Sequence, residues 1–271
     1  MINGFEIQKR YENLPHGEQR LQAIKNAIAL ADAEKDYEFM YIFRSDLMSE
    51  SELYGDSFQA FLTFPEMIKI FDEHEEELEK YKHDYIWEFK WILSDCEDFY
   101  QVSKAKVYEL FAEFRKRCER YGYSLRPYYQ NLYRFEEACD KQASKKAYQQ
   151  FILANRDELS DCYACELNAM VDYELNTASM GRALETAYPI LSGQVSCTEI
   201  PDVTYNNIMH RYYELGDFEK AEEYRKKCYR RISKNSSYLF IIGDMLKLYS
   251  KTDLTKGVKL FEKHLAWVFT S

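Results

Sequence analysis

The sequence predicts an all-α chain built as a stack of helix pairs, and three observations carry that prediction. Glycine (9) and proline (5) are scarce among 271 residues, while tyrosine (24) and phenylalanine (17) abound. Few breakers and many bulky side chains favour long helices over many-turned sheets. No alternating run rich in Val, Ile and Thr marks a strand. Apolar residues instead recur at three- and four-residue spacing and are interrupted by short breaks, most clearly in residues 212–228, "YYELGDFEKAEEYRKKC".

The elements follow in order. The segment "GEQRLQAIKNAIALADAEKD" carries Leu21, Ile24, Ile28 and Ala31 on one face, so residues 1–35 are expected to form capping helices. Beyond it, a small residue sits one turn into the second helix of each successive pair, at Ala60, Ala105, Ala147, Ala183, Ala221 and Gly257. The spacings are 45, 42, 36, 38 and 36 residues. A period in this range is the signature of stacked two-helix modules, none of which can bury its apolar face alone. Residues 36–200 hold divergent copies, and residues 201–271 hold the best-formed ones. In the clearest copy, Tyr205, Ile208, Met209 and Tyr212 line one helix face. Gly216-Asp217 ends that helix, and Phe218, Ala221, Tyr224, Cys228 and Ile232 line the next. The Gly-Asp turn reads as peculiar to this copy. The stretch "SGQVSCTEIPDV" at 192–203 reads as a loop inside one domain spanning 1–271, because no Gly/Ser-rich or Pro-rich linker divides the chain.

Composition narrows the function classes. Formal charge is −10, from 46 acidic and 36 basic residues. Such a surface repels phosphate backbones and anionic lipid, so neither a nucleic acid nor a membrane is the expected partner. The N-terminus is charged too early for a signal peptide. The longest apolar runs, such as "YLFII", are about five residues, against the roughly 20 that a membrane span needs. Seven cysteines, an odd number, read as reduced and mostly buried thiols of a cytoplasmic protein.

Chemistry-bearing patterns are few. Cys162-x-x-Cys165 has no second close Cys or His pair to complete a zinc site, and its surroundings are not the βαβ context of a redox motif. Both residues are therefore read as ordinary thiols, with no metal and no cofactor expected. His16, His74, His83, His210 and His264 are scattered without metal-ligand spacing. There is no phosphate-binding glycine loop and no nucleophile elbow, so no catalytic residue and no enzymatic activity is expected. The acidic run "FDEHEEELEK" at 71–80 reads as a solvated surface whose repulsion frays a helix end. The basic residues Arg225, Lys226, Lys227, Arg230, Arg231 and Lys234 read as an outer helix face with cations near a C-terminus. That face is also the basis of an alternative RNA-binding reading.

The copy at 202–235 resembles the tetratricopeptide repeat through Ile208, Tyr212, Gly216, Asp217, Phe218, Ala221 and Cys228. The following copy resembles it through Leu248, Asp253, Leu254, Gly257 and Phe261. Arg225 stands where that family usually has an aromatic, and the closing proline is missing. The resemblance implies a right-handed α-solenoid of about six helix pairs whose first helices line a concave, partner-binding groove. Carrying the register of Ala221 along the chain assigns to that groove Trp87, Lys90 and Ser94, then Tyr129, Tyr133 and Glu136, then Cys165, Asn168 and Asp172, then Asn206 and His210. One branch of the family grips a C-terminal carboxylate with Lys and Asn; Lys90 matches, but Ser94 and Tyr133 do not, so that clamp is not expected. The implied function is a protein- or peptide-binding scaffold without catalysis, with a peptide-sensing regulator whose superhelix tightens on its ligand as the alternative. Trp267 and Phe269 keep the last segment apolar, and this edge is expected to meet a second copy in a homodimer.

Overall fold

The computed structural model describes residues 3–96 and 99–269, the side chain of Phe269 excepted. Every regular element among the described residues is helical, and no strand occurs there. The chain divides into two compact units, Met1–Ser160 and Asp161–Ser271. No linker-like composition marks that division, and the 192–203 connection lies within the second unit.

The first unit holds α1 (Gly4–Glu12), α2 (Glu18–Glu34), α3 (Tyr37–Leu53), α4 (Ser57–Glu73), the single turn α5 (Glu75–Leu78), α6 (Lys82–Asp95), α7 (Lys104–Tyr121), α8 (Arg126–Glu137) and α9 (Lys141–Leu153). Neighbours pack as pairs: α1 on α2, α3 on α4, α6 on α7 and α8 on α9. Helix α6 also meets α4 and α8. The second unit holds α10 (Tyr163–Thr177), α11 (Met180–Leu191), α12 (Asp202–Glu214), α13 (Phe218–Ile232), α14 (Leu239–Thr252) and α15 (Leu254–His264). These form the pairs α10/α11, α12/α13 and α14/α15, and α12 touches both α10 and α14. The first helices of the three pairs therefore stand in a row.

The turn between α12 and α13 shows why the sequence breaks there. Gly216 takes φ +77°, a left-handed conformation that costs a residue without Cβ little. The Asp217 N–H then reaches back to the Tyr212 carbonyl at 2.9 Å. The Asp217 carboxylate caps α13 by accepting from the Lys220 N–H at 3.1 Å. The same turn recurs at Gly55-Asp56, with φ +82° at Gly55 and Asp56 capping α4, so it is not peculiar to one copy. Asp36, Ser103, Asp140, Ser179 and Asp253 cap further helices in the same way.

Five of the six small positions are buried between paired helices: Ala60, Ala147, Ala183, Ala221 and Gly257. A Cβ on Gly257 would stand 3.3 Å from the Cβ of Tyr249, so the residue marks a close helix approach. Ala105 is exposed, which corrects its assignment to this series. In its pair, Val107, Phe111 and Phe114 fill the interface. The acidic run is broken as like-charge repulsion requires: α4 ends at Glu73 and only short helical pieces follow. It is not merely solvated, because Asp72 accepts from Arg117 at 2.6 and 2.8 Å and Glu75 accepts from Arg120 at 2.6 Å.

Each unit has its own apolar core. In the first, Phe71 stacks on Tyr85 at 4.1 Å, and Phe64, Phe89, Phe111 and Phe114 join them in full burial. In the second, Ile208, Met209, Cys228, Ile232, Ile241 and Met245 are shielded together. A buried large apolar side chain is worth about 1.5–3 kcal/mol, so these faces, not surface ion pairs, hold the helices together. No helix among the described residues is long and apolar enough to cross a membrane.

Candidate functional site

The row α10, α12, α14 carries a polar cleft of about 380 Å³. Helix α10 contributes Asp172 and Asn176; α12 contributes Asn206, Asn207, His210, Arg211 and Glu214; α14 contributes Asp244 and Lys247. Asn206 and His210 lie four residues apart and so share one face of α12. Carboxylates and amides link the row. Asn207 Nδ2 donates to Asp172 Oδ1 at 3.1 Å, joining α12 to α10. Asn206 Nδ2 donates to Asp244 Oδ2 at 2.9 Å, joining α12 to α14. Lys247 Nζ donates to Asp244 Oδ1 at 3.0 Å.

Two atoms in this cleft are left over. Asn206 is buried, and its Oδ1 accepts from no described residue. His210 Nε2 is also buried and stands 3.7 Å from Asp244 Oδ2, within ion-pair range but beyond a hydrogen bond. His210, ahead of the donors from Asn206 and Lys247, holds the Asp244 carboxyl well below the usual carboxylate range despite its burial. The cleft thus offers three carboxylates (Asp172, Glu214 and Asp244), the cations Arg211 and Lys247, an unsatisfied amide oxygen and a ring nitrogen. A buried acceptor without a partner costs about 1–3 kcal/mol, so a donor entering the cleft is favoured. That donor can be water or the N–H of an extended chain.

The other sequence-predicted groove residues have various surroundings. Asn168 is buried, and its Oδ1 accepts from Thr204 Oγ1 at 2.6 Å, which pins α10 to α12. Cys165 lies near the start of α10, beside two other thiols. In the first unit, Lys90 is buried under Trp87, its Nζ 3.5 Å from the ring centroid and donating to the Leu159 carbonyl at 3.0 Å. Ser94 donates to the Trp91 carbonyl at 2.7 Å. Tyr133 is buried, and Tyr129 is half-buried with its ring edge-on to Tyr128 at 5.1 Å. Glu136 is buried and accepts from Tyr108 at 2.6 Å. Trp87 lines a separate cleft of about 320 Å³ with Ser45, Glu52, Asp84, Glu88 and Trp91. Asp172, Asn206 and His210 are therefore the sequence-predicted residues gathered in the α10–α12–α14 cleft.

Sequence reasoning missed Asp244 and Lys247. The register taken from Ala221, applied at Gly257, selects Ile242 and Leu246 on α14, and Ile242 is a core residue. The available signal was Asp244 itself, a lone charge inside the apolar run "YLFIIGDML".

The basic face of α13 is largely spoken for. Arg225 pairs with Glu222 at 2.7 Å, Lys227 with Glu223 at 2.7 Å, and Arg231 with Asp202. This reduces the charge available to a phosphate backbone. At the expected oligomer edge, Trp267 packs against the second-unit core with its ring 4.1 Å from that of His264. The side chain of Phe269 lies outside the described residues.

No family model matches the chain. Over 96 residues it is 30% identical to Vitellogenin-2 of Caenorhabditis elegans, a stretch covering 35% of this chain and 6% of that protein. The chain spans only a small part of that relative's length, and the likeness shows no family.

Proposed function

We propose that this chain is a protein- or peptide-binding scaffold without catalysis of its own, in which the stacked pairs form a tetratricopeptide-like right-handed α-solenoid. The partner lies as an extended segment along the first helices. The single observation that supports this reading is the α10–α12–α14 cleft, where Asn206 Oδ1 and His210 Nε2 are buried without hydrogen-bond partners among the described residues. Amide and imidazole groups in a row can pair with successive peptide N–H and C=O groups, which gives affinity, while the charged side chains around them discriminate among partners.

The test is fluorescence anisotropy of the full chain against a library of labelled extended peptides. The parent is expected to select a subset. Asn206→Ala/His210→Ala is expected to bind that subset at least about tenfold more weakly, the equivalent of about 1.4 kcal/mol. Equal binding by the double variant, with unchanged helix content, removes the cleft from the proposal.

A further inference from the structure

The second unit brings a distant third sulfur to the Cys162-x-x-Cys165 pair. Cys162 and Cys165 begin α10, and Cys197 comes from the loop between α11 and α12. Their Sγ atoms all lie within 4.8 Å of one another, and Cys165 Sγ is 3.6 Å from Cys197 Sγ. We propose that Cys162, Cys165 and Cys197 form a binding site for a thiophilic d10 cation, zinc(II) or copper(I), with three thiolates as its protein ligands.

The geometry fits the ion's demands. Zn–S bonds of about 2.3 Å in tetrahedral array set sulfurs about 3.8 Å apart. The Cys165–Cys197 separation already meets that, and the remaining ones need close by no more than about 1 Å. The ligands are held before any ion arrives. Cys162 is the N-cap of α10, and its sulfur accepts from the Cys165 N–H at 3.4 Å, which fixes that sulfur at the helix start. The Cys197 N–H donates to the Ile200 carbonyl at 3.1 Å, and the neighbouring Thr198 carbonyl accepts from Tyr238 Oη at 2.9 Å. Apolar contacts among Ala164, Leu167, Ile190 and Ile200 press the loop onto α10.

Clustering within reach of solvent separates this trio from the chain's other thiols. Cys96, Cys118 and Cys228 are buried singly, and Cys139 is exposed. Cys165 and Cys197 are half-buried and Cys162 is exposed, so an ion can reach the site from solvent and keep a fourth position for water or an outside ligand. Three thiolates with no fourth protein ligand among the described residues match an exchangeable site more closely than a closed structural one. Binding replaces three S–H protons: Zn²⁺ plus three thiols gives a Zn(S)₃ centre of net charge −1 and three H⁺.

The test uses the full chain, reduced and stripped with a chelator, then titrated with zinc(II) against a chromogenic competitor and with copper(I) against a copper(I) chelator. Cobalt(II) substitution reports sulfur ligation through its thiolate charge-transfer band. The expected result is one equivalent of zinc or copper per chain and a cobalt–thiolate band. Cys197→Ser and Cys165→Ser are expected to lose more affinity than the roughly 10–100-fold typical of an outer-shell change. Cys139→Ser is expected to bind like the parent, with circular dichroism confirming helix content in every variant. Binding of one cation and not the other supports the trithiolate and fixes its ion. No stoichiometric binding of either, equal binding by Cys197→Ser, or an equal loss in Cys139→Ser overturns the site.

Discussion

Glu88 and Asp244 are both carboxylates set into helix faces, and their surroundings push them in opposite directions. Burial, reinforced by Asp84 and Asp46, outweighs the Ser45 and Tyr41 donors and pushes Glu88 up to about 7. Burial and Asp95 push Glu52, in the same cleft, up to about 7 as well. Asp244, flanked by His210 and Lys247, goes down instead. A raised acid holds its proton in the folded state after the unfolded chain has lost it. Stability therefore falls as pH rises from the unfolded value, about 4.3, to the folded value near 7, and levels off above it. Urea unfolding followed by tryptophan fluorescence is expected to show the parent losing about 3–5 kcal/mol between pH 5 and pH 8, divided between the two groups. Glu88→Gln is expected to reduce that slope and Glu52→Gln/Glu88→Gln to flatten it. An unchanged slope in the double variant refutes the assignment.

At the scale of helices, the small residue between paired helices sets how closely they pack. Ala221 is buried at the α12/α13 interface. Ala221→Leu is expected to cost about 1–3 kcal/mol by overpacking, read as a lower thermal midpoint. Ala33→Leu, on the exposed face of α2, is expected to change it little, and equal effects would remove the packing role. Such positions are legible in sequence because caps and 3–4 spacing are local. Gly216-Asp217 announces its turn, and Ala147, Ala183, Ala221 and Gly257 fall at nearly constant spacing. The reading failed where local rules stop. The irregular segments around α6 shift its register, so Ala105 lies at the surface and Lys90 is consumed by Trp87 and the Leu159 carbonyl. The site was half legible for the same reason. Asp172, Asn206 and His210 follow from the repeat register, whereas Asp244 depends on how α14 rotates against α12. Cys197, 32 residues beyond Cys165, joins Cys162 and Cys165 only through tertiary packing.

For the molecule as a whole, helix α15 presents an apolar face that no described helix covers. Stacked modules bury such faces against one another and otherwise need a polar cap. Helix α15 turns Gly257, Leu260 and His264 inward. Leu254, Val258, Phe261 and Leu265 recur at three- and four-residue spacing on its other side and are 68%, 47%, 47% and 38% exposed. Trp267, the residue expected to meet a second copy, is instead drawn in beside His264. The homodimer proposal therefore moves to the Val258–Phe261 stripe, since contiguous exposed apolar side chains favour association. Sedimentation velocity separates the two positions. Phe261→Asp is expected to convert a parent dimer to monomer without loss of helix content. Trp267→Asp is expected to lower the thermal midpoint through lost packing while leaving the sedimenting species unchanged. A monomeric parent, or a Phe261→Asp variant that sediments with the parent, rules out the α15 interface.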